Sequence, residues 1–345
     1  MHTYQDYILQ QAKSLLSIDS PSGFTDRAAD YLTDIYRGMG YEPVRTKKGG
    51  VLVDLGGEQE GDAILTAAHI DTLGAIVAEI KGNGRLRVSP IGGMNPNTME
   101  TGNCTIYTRF DGTYEGTCQL VNASTHVNGA FSQTLRDHNN VEIVLDEDVH
   151  SKEDVQKLGI RNGDFVCFDP VTRVTASGYI KSRFLDDKLS AAILMGYAKY
   201  RKDTGKSTKR KVYQYFTVFE EVGHGASASI PADVTEAISV DMGCVGEGIA
   251  CTEKEVSICA KDSGGPYHYG LTTELIRIAK ENKIPHAVDV YPFYGSDVEA
   301  SLRSGCDIRH GLIGPGVYAS HGYERSHVEG MINTFRLLAA YLDRC

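Results

Sequence analysis

Acidic and histidine side chains follow three apolar segments of this sequence, at the point where each segment ends. The segments and the side chains that follow them are Ala63–Ala68 before His69 and Asp71, Val212–Phe219 before Glu220 and Glu221, and Ala237–Val240 before Asp241. Short apolar runs of this kind predict buried strands, and in open α/β sheets ligands bind beyond the carboxyl ends of the strands. Unpaired charge is costly there, and a cluster of metal ions would compensate all of these groups together.

The segment His69-Ile70-Asp71 places two polar side chains on one face of an extended chain, because a strand has a period of two residues. His69 could bind a metal ion through one ring nitrogen while Asp71 accepts a hydrogen bond from the other, which fixes the tautomer. Taken alone, the same residues also fit a histidine at a strand end followed by an aspartate in a turn.

Asp186 follows Phe184-Leu185 and precedes a predicted helix, so it is either a helix cap or a metal ligand. As a ligand, its two carboxylate oxygens could bridge two cations about 3.5–4 Å apart. Glu220 and Glu221 are neighbours in an extended segment and point to opposite sides, so one could face the metal and the other the reacting water. Taken alone, this pair also fits a charged strand terminus.

A histidine-rich stretch at 320–327 contains His321. Together with His69, two or three aspartates and two glutamates, it offers nitrogen and oxygen donors that suit zinc, and also cobalt or manganese, in a two-metal hydrolase. Each signal is weak by itself. Their joint occurrence at predicted strand ends predicts a binuclear metal site.

Strands alternate with helices in the first and last parts of the chain. The helical patterns cover Tyr4–Ile18, Thr25–Gly38, Leu189–Tyr200, Thr272–Asn282 and Val328–Leu342. This alternation predicts an α/β fold, with a mixed, mostly parallel sheet sandwiched by helices. Between the two parts, short alternating segments separated by Gly, Asn and Asp turns predict a small antiparallel β-barrel. We therefore expect an α/β domain at 1–72 and 178–345, with a β domain inserted at 73–177.

The chain has 345 residues, with 35 Lys and Arg against 45 Asp and Glu, for a formal net charge of −10. This acidity disfavours nucleic-acid and anionic-membrane binders, which need a basic footprint. None of the eight cysteines forms a C-x-x-C motif, the N-terminus lacks a signal-peptide pattern, and no apolar run approaches the roughly 20 residues that span a bilayer. We therefore expect a cytoplasmic protein with reduced cysteines that binds neither nucleic acid nor membranes.

Five segments resemble motifs of the tetrahedral aminopeptidase family, which includes glutamyl and deblocking aminopeptidases and members labelled endoglucanases. They are 69–74 (His-Ile-Asp-Thr-Leu-Gly), 185–188 (Leu-Asp-Asp-Lys), 220–223 (Glu-Glu-Val-Gly), 240–243 (Val-Asp-Met-Gly) and 320–321 (Ser-His). Within the predicted insert, 158–164 (Leu-Gly-Ile-Arg-Asn-Gly-Asp) is similar to a further segment of the family. The resemblance covers essentially the whole chain and implies a zinc-exopeptidase-like fold.

The resemblance implies two divalent metal ions per subunit, held by His69, Asp186 and Asp241 and by Asp186, Glu221 and His321. It makes Glu220 the general base on the attacking water, and Asp71 the residue that orients His69. The implied activity is the removal of N-terminal residues from small peptides. Family members assemble into dodecamers through the inserted domain. The resemblance therefore also implies a large homo-oligomer, and a role for the insert in assembly and in access to the active site.

The sequence departs from the family pattern at four places, which indicates a divergent subgroup. Asp-Asp-Arg becomes Asp-Asp-Lys at 186–188, His-Ser-Pro-x-Glu becomes His-Gly-Tyr-Glu at 321–324, Pro-Pro-His becomes Ser-Thr-His at 124–126, and Gly-Thr-Asp-Ala becomes Gly-Ser-Asp-Val at 295–298. The second departure leaves His327 as an alternative ligand. The metal ligands survive these changes, so specificity and assembly are what they put in doubt. An unusual small peptide or an amidated dipeptide is one expected substrate.

Two other functions stay open as alternatives. One is a metal-dependent amidase or deacylase acting on an amidated or N-blocked peptide, and the other is a non-catalytic binding member of the fold. The absence of G-x-S-x-G and H-E-x-x-H motifs argues against a serine hydrolase and a thermolysin-like site. His268, Tyr294 and Arg303 could line a substrate pocket, but for these three residues the preferred prediction is a core or surface role.

Overall fold

The computed structural model describes residues 2–345, which form two compact units. The first unit comprises the chain up to Asp71 together with Val171–Cys345, and the second comprises Thr72–Pro170. Every residue of the predicted metal site belongs to the first unit.

Eight α-helices and eighteen strands occur in the described part of the chain. The helices are α1 His2–Leu16, α2 Asp26–Gly38, α3 Pro96–Met99, α4 Lys152–Lys157, α5 Leu185–Thr204, α6 Tyr269–Glu281, α7 Asp297–Arg303 and α8 Val328–Leu342. The strands are β1 Val44–Arg45, β2 Val51–Gly56, β3 Gln59–His69, β4 Gly74–Ile80, β5 Leu86–Ile91, β6 Asn103–Tyr107, β7 Thr113–Leu120, β8 Val141–Leu145, β9 Phe165–Phe168, β10 Arg173–Val174, β11 Tyr179–Ser182, β12 Arg210–Thr217, β13 Val234–Val240, β14 Gly243–Val245, β15 Val256–Lys261, β16 His286–Val290, β17 Arg309–Tyr318 and β18 Glu324–His327.

The first unit is built on a twelve-stranded sheet. Its main path runs β1-β2-β12-β3-β13-β17-β18-β11-β10. The four central strands β12, β3, β13 and β17 are parallel to one another. β3 is buried without interruption from Ala63 to His69, as expected for a central strand covered on both faces. The predicted α/β fold with a mostly parallel sheet is confirmed.

Helix α5 lies at the centre of the helical packing, in contact with α1, α8 and strand β3. Every residue from Leu185 to Ala198 is buried, so this part of the helix is covered on all sides. It begins four residues before the predicted Leu189. Asp186 and Asp187, at its first turn, have non-helical backbone angles, which frees their side chains from the regular helical spacing.

The second unit is a closed antiparallel barrel with the order β4-β5-β8-β7-β6-β9, which confirms the predicted β-barrel. In β7 the inward positions are Gly116, Cys118 and Leu120, alternating with more exposed residues. Closure leaves the barrel no open sheet edge.

Strand β10, at 173–174, pairs with β11 of the first unit, although these residues fall in the segment 73–177 assigned to the insert from the sequence. A two-residue strand carries no pattern that distinguishes a barrel strand from a sheet edge. Among the residues that the structure describes, no helix is both long enough and apolar enough to cross a membrane.

Candidate active site

Three neighbouring strands bring their carboxyl ends to one edge of the large sheet. β12 and β13 lie on either side of β3 and run parallel to it. β3 ends at His69, and Asp241 follows directly after β13. β12 ends at Thr217, two residues earlier than predicted, so Glu220 and Glu221 stand in a turn beyond the strand.

Asp186 lies between two histidines and presents one carboxylate oxygen to each. Its Oδ1 is 3.0 Å from Nε2 of His69, and its Oδ2 is 3.5 Å from Nε2 of His321. Nε2 of His69 is also 3.7 Å from Oε2 of Glu220, and Nε2 of His321 is 3.6 Å from Oε2 of Glu221. Five of the predicted site residues therefore meet around one carboxylate.

Asp241 and Asp187 complete the cluster on the side of His69. One ligand atom from each of His69, Asp187 and Asp241 lies within 4.8 Å of the others, as do those of His69, Asp186 and Glu221. Asp241 accepts a hydrogen bond from the backbone N–H of Met242 at 2.6 Å. Asp187, which the sequence analysis did not assign, accepts one from the N–H of His69 at 3.3 Å.

The backbone of Asp71 sets the tautomer of His69. Nδ1 of His69 is 2.9 Å from the carbonyl oxygen of Asp71, an acceptor only, so Nδ1 carries the proton and Nε2 is left with its lone pair. Nε2 then faces the Asp186 oxygen as a second acceptor at 3.0 Å unless a proton or a cation lies between them. This is the geometry of a histidine ready to bind a metal ion.

The carboxylate of Asp71 holds the turn that carries the two glutamates. It accepts hydrogen bonds from the backbone N–H groups of Glu220 at 3.1 Å and Glu221 at 3.3 Å, and from the hydroxyl of Ser22 at 2.5 Å. The same carboxylate is 3.7 Å from Nδ1 of His69, farther than the carbonyl oxygen. Asp71 therefore orients His69 mainly through its backbone, and Ser22 is a site residue that sequence reasoning missed.

Three turns that present site residues contain a non-glycine residue with positive φ. Phe184 (φ 69°) precedes Asp186, Phe219 (φ 68°) precedes Glu220, and His321 itself has φ 60°. Such conformations cost about 1–3 kcal/mol each and persist where the surrounding structure holds them. They turn the chain sharply at the sheet edge, which is how side chains from separate segments reach a common point.

Burial sets the protonation of the carboxyl groups. It raises the pKa of Asp241 to about 8, with the charge of Asp186 adding to the rise. Burial likewise raises the pKa of Glu220 and Glu221 well above the usual value. It also works to raise the pKa of Asp186, but hydrogen bonds with His321 and His69 outweigh it and hold that pKa below its usual range. So many ionised carboxylates are costly at one buried point without additional positive charge.

The residues present fit a pair of divalent cations. The donor set contains imidazole nitrogens and carboxylate oxygens, the ligands that zinc, cobalt and manganese accept. Oε1 of Glu221 and Oδ1 of Asp187 are buried and have no hydrogen-bond partner among the described residues. A buried carboxylate oxygen without a partner is unfavourable, and a cation would provide the missing contact.

His327, the alternative ligand, has other partners. Its Nδ1 accepts a hydrogen bond from the N–H of Glu329 at 3.0 Å, where it caps helix α8, and its Nε2 is 2.8 Å from the carbonyl oxygen of Ser177. Both ring nitrogens are engaged away from the cluster. The structure therefore brings His321 to the carboxylates, and not His327.

A cavity of about 450 Å³ opens onto the cluster. Besides the cluster itself, it is lined by Gly223, Met242, Cys244, Phe293, Tyr294, Gly295, Ser296, Arg303 and Ser320. Tyr294 and Arg303 thus line the cavity, and Tyr294 also packs against the hydrophobic core while the side chain of Arg303 is 58% exposed. Tyr294 lies three residues before helix α7, and Arg303 is the last residue of that helix. No sequence pattern in this segment indicated that it borders a cavity. His268 does have a structural role, because its side chain caps helix α6.

Comparisons with known proteins agree with this geometry. A family model described as M42 glutamyl aminopeptidase matches residues 49–337. A relative from Bacillus subtilis (strain 168), named "Putative aminopeptidase YhfE", is 41% identical over 335 residues, 97% of each chain.

Solved structures share the fold over nearly the whole length. Aminopeptidase APDkam598 from the archaeon Desulfurococcus kamchatkensis superposes with a TM-score of 0.87 at 23% identity, covering 99% of this chain and 95% of that chain. The TET1 peptidase of Pyrococcus horikoshii, which can assemble into a tetrahedron or a large octahedral shell, gives 0.85 at 22% identity, covering 97% and 99%. The chain thus belongs to the M42 peptidase family, that of the tetrahedral aminopeptidases its motifs resemble.

Proposed function

We propose that this chain, an aminopeptidase by family, is a two-metal enzyme. One cation is held by His69, Asp186 and Asp241, and the other by Asp186, Glu221 and His321. The observation that carries the proposal is the placement of Asp186, which turns one oxygen to each histidine at 3.0 and 3.5 Å. In this position Asp186 would serve both cations, because each of its oxygens lies beside the nitrogen of a different proposed ligand.

Glu220 is the general base of this proposal. Bound metal ions lower the pKa of a coordinated water and polarise the scissile carbonyl. Glu220 lines the cavity, and its Oε2 is 3.7 Å from Nε2 of His69. From there it can take the proton of the attacking water and deliver it to the leaving amine. Asp71 positions Glu220 by accepting a hydrogen bond from its backbone N–H, and Ser22 holds Asp71 by donating its hydroxyl to the same carboxylate.

A panel of substrates tests the activity directly. Aminoacyl anilides and dipeptides with a free N-terminus are compared with their N-acetylated and C-amidated forms, with zinc or cobalt added. We expect turnover of the free N-termini and loss of turnover on acetylation. Turnover of only the blocked substrates would favour the amidase or deacylase, and no turnover of any substrate would favour a binding protein.

In this proposal, Arg303 makes the site prefer a substrate with an acidic N-terminal residue over a substrate with a basic one. Among the described residues that line the cavity, it carries the one permanent positive charge, and its guanidinium is 3.7 Å from the carboxylate of Glu299 in the same helix. We expect Arg303→Met to lower kcat/KM for a glutamyl anilide about tenfold, the effect of one charge-assisted hydrogen bond. A leucyl anilide should be unaffected, and Arg37→Met, on the exposed face of α2, serves as the control. Equal losses on both substrates would contradict this role.

We also propose that the barrel unit carries a self-association surface. It exposes three large apolar side chains, Phe110 (82%), Val127 (78%) and Leu135 (69%), which a second copy of the chain would cover. We expect light scattering to give a large homo-oligomer, such as a dodecamer, and a smaller mass for the double variant Val127→Asp, Leu135→Asp. Val44→Asp, in the first unit, is the control. An unchanged mass in the double variant would rule out this surface.

The state of the cysteines supports a reducing compartment as the location of the protein. No disulfide joins any of the eight cysteines in the described part of the chain. Disulfides form and persist in oxidising compartments, so a chain whose cysteines are not cross-linked suits the cytoplasm. We therefore propose a cytoplasmic aminopeptidase that acts on small peptides and binds neither nucleic acid nor membranes.

A further inference from the structure

A buried carboxylate outside the proposed ligand set joins two segments that carry ligands. Glu324 is 2% exposed and opens strand β18. Its Oε2 accepts a hydrogen bond from the backbone N–H of Asp186 at 3.1 Å, and its Oε1 accepts one from that of His321 at 3.0 Å. The two oxygens of this side chain thus accept hydrogen bonds from the backbones of two proposed ligands, which come from distant parts of the chain.

The segments that carry Asp186 and His321 both need a restraint of this kind. His321 has φ 60°, a conformation that a residue with a side chain keeps only when its surroundings fix it. Its imidazole is 41% exposed, so packing alone restrains it weakly. Asp186 lies at the irregular start of α5. It follows two residues after Phe184, which, like His321, has a positive φ. Neither ligand is fixed by a regular element.

Glu324 itself is fixed by the sheet. β18 pairs with β11, where Glu324 lies opposite Ser182, and the hydroxyl of Ser326 donates to the carbonyl oxygen of Gly316 at 2.8 Å. A carboxylate on a paired strand is a fixed reference point for two turns of irregular backbone. Residues that orient ligands in this way raise metal affinity without touching the metal.

We propose that Glu324 is a positioning residue that sets the distance between Asp186 and His321 for the second metal ion. This inference rests on the two-metal function proposed above. Glu324 acts through the backbone, so its removal leaves every ligand side chain in place. Asp186 is shared by both proposed cations, whereas His321 belongs to the second alone and His69 and Asp241 receive no hydrogen bond from Glu324. The expected consequence is therefore a larger loss of affinity at the second metal site than at the first.

The test is zinc binding to the purified full-length chain, followed by competition with a chromophoric chelator. In Glu324→Gln, one acceptor oxygen becomes a donor NH₂ that faces a backbone N–H, at almost unchanged volume. We expect the affinity for the second zinc equivalent to weaken about 10–100-fold and the affinity for the first to weaken less. Glu329→Gln is the matched control, since Glu329 is 55% exposed and pairs with Lys254 at 3.2 Å.

Cobalt loading gives a second measurement, because the visible spectrum of the second equivalent should change in Glu324→Gln and not in the control. Glu324→Asp keeps the carboxylate but shortens its reach, and covers the case in which the glutamine variant does not fold. It should show the same larger loss at the second equivalent. Unchanged affinities for both equivalents in a folded variant would overturn the positioning role and leave the two-metal function standing. A wild-type chain that binds fewer than two equivalents would overturn both.

Discussion

Replacing Glu220 by glutamine should lower kcat by about 10²–10⁴-fold, the usual contribution of a general base. An amide of the same size cannot take the proton of the attacking water, while it leaves the shape of the cavity unchanged. Glu220 is the carboxylate that faces the cavity within 3.7 Å of His69 and is not needed as a ligand. The measurements are kcat and KM on an aminoacyl anilide, together with the zinc content of the protein.

The neighbouring residue supplies the matched control. Glu221→Gln makes the same chemical change one position along, where the side chain meets His321 at 3.6 Å. We expect Glu220→Gln to retain two zinc equivalents, and Glu221→Gln to lose one. Activity that survives in Glu220→Gln, or zinc loss equal to that of Glu221→Gln, would show that the two roles are assigned wrongly.

The second large effect is expected for Asp186→Ala. Asp186 serves both proposed cations, so this single change should release both and lower kcat/KM by at least about 10³-fold, since metal ions supply several kcal/mol to the transition state. It should also remove stabilisation by zinc. A ligand at about 1,000 times its Kd adds about 4 kcal/mol to the free energy of unfolding, and melting temperatures with and without zinc measure that gain.

Asp54→Ala is the control for this experiment, because Asp54 lies on strand β2 of the same sheet, half-exposed and 3.8 Å from Lys211. Its melting temperature should still rise with zinc. A variant at Asp186 that keeps one zinc equivalent and part of the stabilisation would show that Asp186 is not shared, and that another carboxylate, such as Asp187, holds the first cation.

The sequence predicted the parts of the fold that follow from periodicity. β3 and β13 end where their apolar runs meet His69 and Asp241, because a buried strand must end where charge begins. The run that ends at Phe219 was less informative. Val218 and Phe219 continue the apolar pattern, yet the left-handed conformation of Phe219 ends the strand early, and such a turn leaves no signature in side-chain type.

Residues that act through the backbone escaped prediction. Ser22 and Glu324 hold site segments by hydrogen bonds to N–H groups or to a carboxylate. Asp297 is buried beneath the end of β12, where the hydroxyl of Thr217 donates to it at 2.7 Å, and burial raises the pKa of its carboxyl to about 6. Apart from the contact between Glu324 and His321, which spans three residues, these contacts join distant parts of the sequence, so no spacing rule reveals them. The cavity wall at Tyr294 and Arg303 depends on tertiary contacts in the same way.

The most direct test of the account is a crystal structure of the zinc-loaded protein with anomalous diffraction at the zinc edge. We predict two anomalous peaks about 3.5–4 Å apart, one on each side of the Asp186 carboxylate, the first next to His69 and the second next to His321. A single peak, or a pair of peaks with Asp186 outside their coordination, would contradict the two-metal centre on which the proposed function depends.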